Sequence, residues 1–190
     1  MKRVLLPGIG RFSAVTFGPR AAGSPLPVAG VSSDRKRIAD LLLAEDVLLD
    51  LGVSNKSQLI DQIGRHMERM HAMDRECVVL SLSHREQIGS TGLGQGVAIP
   101  HARVKQLDRV QVAYIRPASP IPFDSPDGQP VSDVLALLVP RQATEEHLAI
   151  LAEAAQLLSD RRFRDRLHQC RHPLEVKRLF EAWPERRRDQ

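Results

Sequence analysis

Cysteine, aromatic residues and long apolar runs are all scarce in this chain. The two cysteines, Cys77 and Cys170, stand far apart with no CxxC spacing. That excludes a disulfide framework and a thiolate metal knuckle, and it is what a reducing cytoplasm tolerates as inert thiols. Aromatic residues make up 4% of the 190 residues, too few for the stacking platforms that single-stranded nucleic acids require. No apolar run approaches the roughly 18–20 residues of a membrane span, so no membrane insertion is expected. Acidic residues are missing from residues 1–33, which carry Lys2, Arg3, Arg11 and Arg20. Residues 161–190 hold ten Lys/Arg and five Asp/Glu, whereas residues 34–160 hold 13 basic and 18 acidic. The formal net charge of +4 therefore resides at the two ends, and the acidic body argues against nucleic acid as a partner.

Residues 1–33 are rich in Gly, Pro, Ala and Ser, and Pro7, Pro19, Pro25 and Pro27 interrupt any helix. They read as a flexible basic arm, residues 34–182 as the folded domain and residues 183–190 as a basic tail. No internal repeat is evident. Ile38 to Leu42 reads as a short helix and Val47 to Leu51 as a first strand. Ser54 and Asn55 offer caps for a helix with Leu59, Ile60, Ile63, Met67 and Met70 on one face. Asp74 caps a second helix to about Gln87, with Val78, Val79 and Leu82 inward. Val110 to Ile115 and Val134 to Val139 read as strands, the second nearly all apolar, as a strand covered on both faces would be. Pro126-Asp127-Gly128 is a turn signal. Thr144 caps a long helix carrying Leu148, Leu151, Ala155 and Leu158, and two further helices fall near 160–169 and 173–182. Strands and helices interleave, so the expected fold is α/β: a mixed sheet with helices on its faces, in a single domain.

Against this background, four of the twelve glycines, Gly89, Gly92, Gly94 and Gly96, fall within eight positions. Ser90 and Thr91 lie among them, and Val97-Ala98-Ile99-Pro100-His101 follows. Glycine lets backbone N–H groups turn toward an anion without a Cβ in the way. Pro100 fixes its own φ and holds Ile99 extended, so His101 arrives from a stiff segment. Three nucleotide motifs fail here. A P-loop needs Lys-Ser/Thr where Val97-Ala98 stands; the Gly92-x-Gly94-x-Gly96 spacing is wrong for a dinucleotide fingerprint; and a kinase loop needs a larger chain. No cofactor is expected.

The remaining chemistry is covalent: near neutral pH an imidazole offers a free lone pair without a separate base. A phosphoryl group on His101 would bring close to two negative charges (about −1.5 to −2). Candidate donors are the backbone N–H groups of the loop at Gly92, Gly94 and Gly96, the Ser90 and Thr91 hydroxyls, and the forked guanidinium of Arg85. The pairs His66/His71 and His168/His172 invite a metal reading, but their sequence neighbourhoods supply no matching carboxylate or thiolate set, and no metal is expected.

The string Arg85-Glu86-x-x-Gly89-Ser90-Thr91-Gly92-x-Gly94-x-Gly96-x-Ala98-Ile99-Pro100-His101 resembles the active segment of enzyme IIA proteins of the mannitol–fructose class. That class belongs to the bacterial phosphoenolpyruvate-dependent phosphotransferase system. The resemblance runs from about residue 38 to 180 and includes Pro122-Phe123-Asp124, Ala136 to Pro140 and Glu146-His147-Leu148. Lacking attached IIB or IIC domains, the chain looks most like the nitrogen-regulatory branch, a stand-alone phosphocarrier with a mixed sheet flanked by helices. The resemblance implies that His101 is the phosphorylated histidine, Arg85 the arginine beside it and His147 a second histidine facing it. It implies an HPr-like phosphohistidine donor and regulatory target proteins as partners, in the cytoplasm. Two other readings stay open: a sugar-specific IIA protein that passes phosphate to a IIB domain, and a binding module that is never phosphorylated. Residues 1–33 have no counterpart in the family pattern.

Overall fold

Tertiary order follows from two strands that bury both faces. In the computed structural model, which describes residues 37–105, 107–142 and 145–186, β5 (Gln111–Pro117) is buried throughout and β6 (Asp133–Pro140) is buried up to Val139. Successive side chains of a strand point to opposite faces. Accordingly Leu135, Leu137 and Val139 enter one apolar cluster, and Val134, Ala136 and Leu138 the other. β1 (Leu42–Leu51) runs parallel to β5, which is antiparallel to β6. On the far side of β6 lie first β3 (Val97–Ala98), then β4 (His101–Val104), both parallel to it, and β2 (Gly92–Gly94) closes that edge antiparallel to β3. The sheet is mixed and six-stranded, with the order β1-β5-β6-β3-β2 and β4 as a second neighbour of β6.

α2 (Lys56–His71) and α3 (Arg75–Ile88) cover one face. α1 (Ile38–Leu41), α4 (Glu145–Ser159), α5 (Arg161–Gln169) and α6 (Pro173–Arg186) cover the other. The expected α/β class, with helices on both faces of a mixed sheet, is the one found.

Local signals set the helix starts. Asn55 accepts from the Gln58 N–H, Asp74 from Cys77 and Asp160 from Arg162 and Phe163; such caps contribute about 1 kcal/mol each. Pro173 opens α6, where its missing N–H costs nothing. Leu59, Ile60, Ile63 and Met67 are buried as expected, yet Met70, in the last turn of α2, is 38% exposed. In α4 the buried apolar positions are Ile150, Ala154, Leu157 and Leu158, whereas Leu148 is 69% exposed, so the inward face is rotated from the expected one. α6 continues beyond residue 182, with Trp183 in the core against Phe163. The expected arm at 1–33 and the Thr144 cap fall outside the described residues.

Candidate active site around His101

α3 is capped at its start by Asp74 and closes at Gly89, whose N–H bonds the Glu86 carbonyl. Its last turn therefore delivers Arg85 and Glu86 side by side, and each takes a separate task. The Arg85 Nη1 donates to the Gly89 carbonyl at 2.9 Å, and its Nε–H points at the His101 Nε2, 3.2 Å away. Glu86 accepts from the Thr91 N–H at 3.1 Å, from the Thr91 hydroxyl at 2.6 Å and from the Lys56 ammonium at 2.7 Å. Lys56, the first residue of α2, also reaches Asp124 at 3.0 Å and lies over the Phe123 ring. Burial would raise the Glu86 carboxyl, but the Lys56 ammonium and the Thr91 donors outweigh it and hold it below the ordinary carboxylate range.

His101 is fixed from behind. The Ile99 N–H bonds the Thr91 carbonyl, the Pro100 carbonyl accepts from Leu137, and His101 opens β4 level with Leu137. Pro100 has no N–H of its own, which is why the chain beside β6 breaks into β3 and β4 there. The imidazole Nδ1 lies 2.8 Å from the Ile99 carbonyl. A carbonyl only accepts, so Nδ1 carries the proton and Nε2 the lone pair, which is the atom that the Arg85 N–H meets. Burial pushes the ring below the ordinary imidazole value and the Arg85 charge adds to this; the Ile99 carbonyl and Glu86 oppose without cancelling it. At neutral pH the ring is neutral, and its free nitrogen faces a guanidinium.

Other expected site residues sit differently. The Ser90 hydroxyl donates to the Phe123 carbonyl at 2.8 Å and accepts from the Gly92 N–H. Both the Ser90 and the Thr91 hydroxyls thus brace the loop. Gly92 packs so tightly that an added Cβ would lie 2.7 Å from the Ser125 Oγ. Gly94 and Gly96 form the tip of the β2–β3 hairpin with φ of +86° and +78°, facing Asp127 and Ser132. Val97 is level with Asp133 and His101 with Leu137, about 13 Å along the strand. The expected glycine cradle is therefore a hairpin that joins the sheet edge, and the tip glycines stand away from the imidazole. His147 is buried in the first turn of α4, the helix that follows β6.

Sequence reasoning left out Lys56 and the Ile99 carbonyl; no local signal marks either, since their partners lie on other elements. The premise that the histidine pairs lack carboxylates fails too. The fold brings Asp46 of β1 to both His66 and His71, and Asp133 to His168.

Residues 40–183 match the family described as phosphoenolpyruvate-dependent sugar phosphotransferase system, EIIA 2. The chain is similar to a nitrogen regulatory protein of Bradyrhizobium diazoefficiens, 36% identical over 134 residues, covering 70% of this chain and 88% of that one. A nitrogen regulatory protein of Pseudomonas aeruginosa is likewise 36% identical, over 135 residues with the same coverage. Among solved structures, the nitrogen regulatory protein IIA-Ntr of Neisseria meningitidis superposes with a TM-score of 0.72 at 39% identity, covering 75% of this chain and 98% of that one. The IIA mannitol protein of Escherichia coli, 20% identical, has the same fold with a TM-score of 0.62 over 73% and 97% of the two chains. This chain belongs to the EIIA 2 family of the phosphoenolpyruvate-dependent phosphotransferase system, and it is a phosphocarrier of that system.

Proposed function

We propose that the protein accepts a phosphoryl group on the Nε2 of His101 from an HPr-like phosphohistidine carrier, in the cytoplasm, and regulates target proteins according to its phosphorylation state. The observation that carries this reading is the polarity of the ring: Nδ1 is committed to the Ile99 carbonyl, so the nucleophilic lone pair is on Nε2, beside Arg85. The Nε2 lone pair attacks the donor phosphorus while the donor's N–P bond breaks and its electron pair returns to the donor imidazole. No proton leaves His101, because Nε2 bears none. The Arg85 N–H then passes from the ring nitrogen to a phosphoryl oxygen, a stronger charge-assisted bond. His147 is assigned the role of a second donor to the phosphoryl group, favoured by its place in the first turn of α4. Ser90, Thr91 and Gly92 act by shaping the loop around it. Ile88, next to this turn, and Leu93 of β2 are exposed apolar side chains suited to a transient protein partner.

The nitrogen branch is favoured over a sugar-specific IIA role because the more similar relatives carry that name and are matched over most of their length. Incubation with phosphoenolpyruvate, the general phosphotransferase enzyme and the donor carrier should yield one acid-labile phosphate per chain. The His101→Ala variant should acquire none; phosphate retained in that variant overturns the assignment.

A further inference from the structure

Near the middle of β1, Asp46 is completely buried. Its Oδ1 meets two ring nitrogens from α2, the His66 Nε2 at 2.8 Å and the His71 Nε2 at 2.7 Å. One donor atom from each of the three residues lies within 4.8 Å of the other two. Among the described residues these two imidazoles are the carboxylate's sole ion-pair partners, with no lysine or arginine at hand. The other carboxylate oxygen, Oδ2, is buried with no hydrogen-bond partner, as is the Nδ1 of His66. An orphaned buried carboxylate oxygen is costly to leave unmet. That unmet oxygen, beside two ring nitrogens, leaves room for a further electrophilic partner.

The group is not sealed. His71 lines a cavity of about 600 Å³ bounded by Arg69 to Asp74, Val104 and Gln111. This is the end of β4 remote from His101, and the start of α3 rather than its Arg85 end. Two imidazole nitrogens and a carboxylate, with solvent on one side, are the donor set of an open zinc site. We propose that Asp46, His66 and His71 form a divalent transition-metal site selective for zinc-like ions, with a cavity water as the remaining ligand. Bond lengths of about 2.0–2.2 Å separate tetrahedral donors by roughly 3.4 Å, so each imidazole nitrogen, now 2.8 and 2.7 Å from the carboxylate oxygen, draws back from it by roughly 0.6–0.7 Å around the ion. The orphan Oδ2 then lies beside the ion and can accept from its bound water. Since the His66 Nδ1 finds no outer-shell acceptor, affinity is expected to be about 10–100-fold weaker than that of a fully braced site. The site is independent of the phosphoryl reading, because none of its residues touches His101 or Arg85.

The test uses the full chain stripped with a chelator and titrated with Zn²⁺ by calorimetry, with Co²⁺ as a visible-absorption probe. One equivalent should bind, and a hundredfold excess of Zn²⁺ over Kd should raise Tm by about 5–10 °C. His71→Gln, at the residue that lines the cavity, should weaken binding at least tenfold, as should Asp46→Asn, whereas His101→Ala should bind as wild type does. Absence of heat and of a Tm shift, binding unchanged in His71→Gln, or loss of binding in His101→Ala would each overturn the site and leave a hydrogen-bonded carboxylate–imidazole triad only.

Discussion

Replacing Glu86 with Gln isolates the clamp that holds the loop without removing any group that meets the phosphoryl. The wild-type carboxylate faces three donors: the Lys56 ammonium, the Thr91 N–H and the Thr91 hydroxyl. Gln keeps one oxygen for Lys56 and the Thr91 N–H, and its NH2 can turn to the Thr91 hydroxyl, which rotates to accept. What disappears is the charge. The Lys56 contact with Asp124 does not replace it, since the Asp124 side chain is 87% exposed and such pairs are weak. A charge-assisted bond is worth about 1.5–3 kcal/mol against about 1 for a neutral one, so the expected loss is about 1–2 kcal/mol. For a domain of this size that corresponds to a Tm lower by roughly 3–6 °C at pH 7. The pH dependence has a fixed sign. The folded value of Glu86 lies below its ordinary one, so its stabilisation is complete above the ordinary carboxylate range and is lost as pH falls through the depressed value. The gap between wild type and variant should therefore close in acid. Thr91 also holds Ile99 and thereby His101, so phosphoryl acceptance should slow by about tenfold or more, as small misplacements do. Differential scanning calorimetry from pH 3 to 8, with phosphate-incorporation rates at pH 7, measures both effects. A variant that melts and accepts phosphate as wild type does at pH 7 refutes the clamp.

Two further outcomes follow from named contacts. His101, held low by burial and the Arg85 charge, should titrate below the ordinary imidazole value of about 6.5 in a histidine-resolved NMR series. Acceptance and the stability tied to this ring should persist at neutral pH and fall only as pH drops through that lowered value; a midpoint above it contradicts the assigned environment. Gly92→Ala forces a Cβ to within 2.7 Å of the Ser125 Oγ and 3.1 Å of its Cα, an overpacking expected to cost about 1–3 kcal/mol. Gly89→Ala meets nothing within 4 Å, and its φ of 169° is ordinary extended backbone, so chemical denaturation should place it within about 0.5 kcal/mol of wild type; equal losses in the two variants would contradict this packing.

Features written into contiguous residues were legible in the chain, and features assembled by register were not. Asp74 and Asn55 announce helix starts because a cap bonds an N–H three residues on, and the run from Val134 to Val139 announces a central strand because both its faces are apolar. Arg85 and His101 were legible as a pair through an ordered motif, although the bond between them spans sixteen residues. The glycines were ambiguous: clustering fits an anion cradle and a tight hairpin equally well, and the pairing of Gly92 with Ala98 shows the hairpin. Asp46 gave no local sign either. The strand was expected from Val47 to Leu51, whereas it begins at Leu42 and includes Asp46. A polar residue that interrupts a buried strand has to find its partners across the layer, and here it finds His66 and His71 twenty and twenty-five residues away.

The same division explains why adjacent residues of one helix turn do unlike work. Arg85 and Glu86 differ by about 100° around the helix axis, so the guanidinium reaches β4 while the carboxylate reaches the Thr91 loop and the start of α2. Had the two carboxylate–cation partners been exchanged, Glu86 would neutralise Arg85 and leave the incoming phosphoryl group without a free positive partner. Lys56 prevents that by taking up the carboxylate's charge from the opposite side. The Lys56→Met variant should therefore impair transfer through Arg85, although Lys56 is bonded to neither Arg85 nor His101.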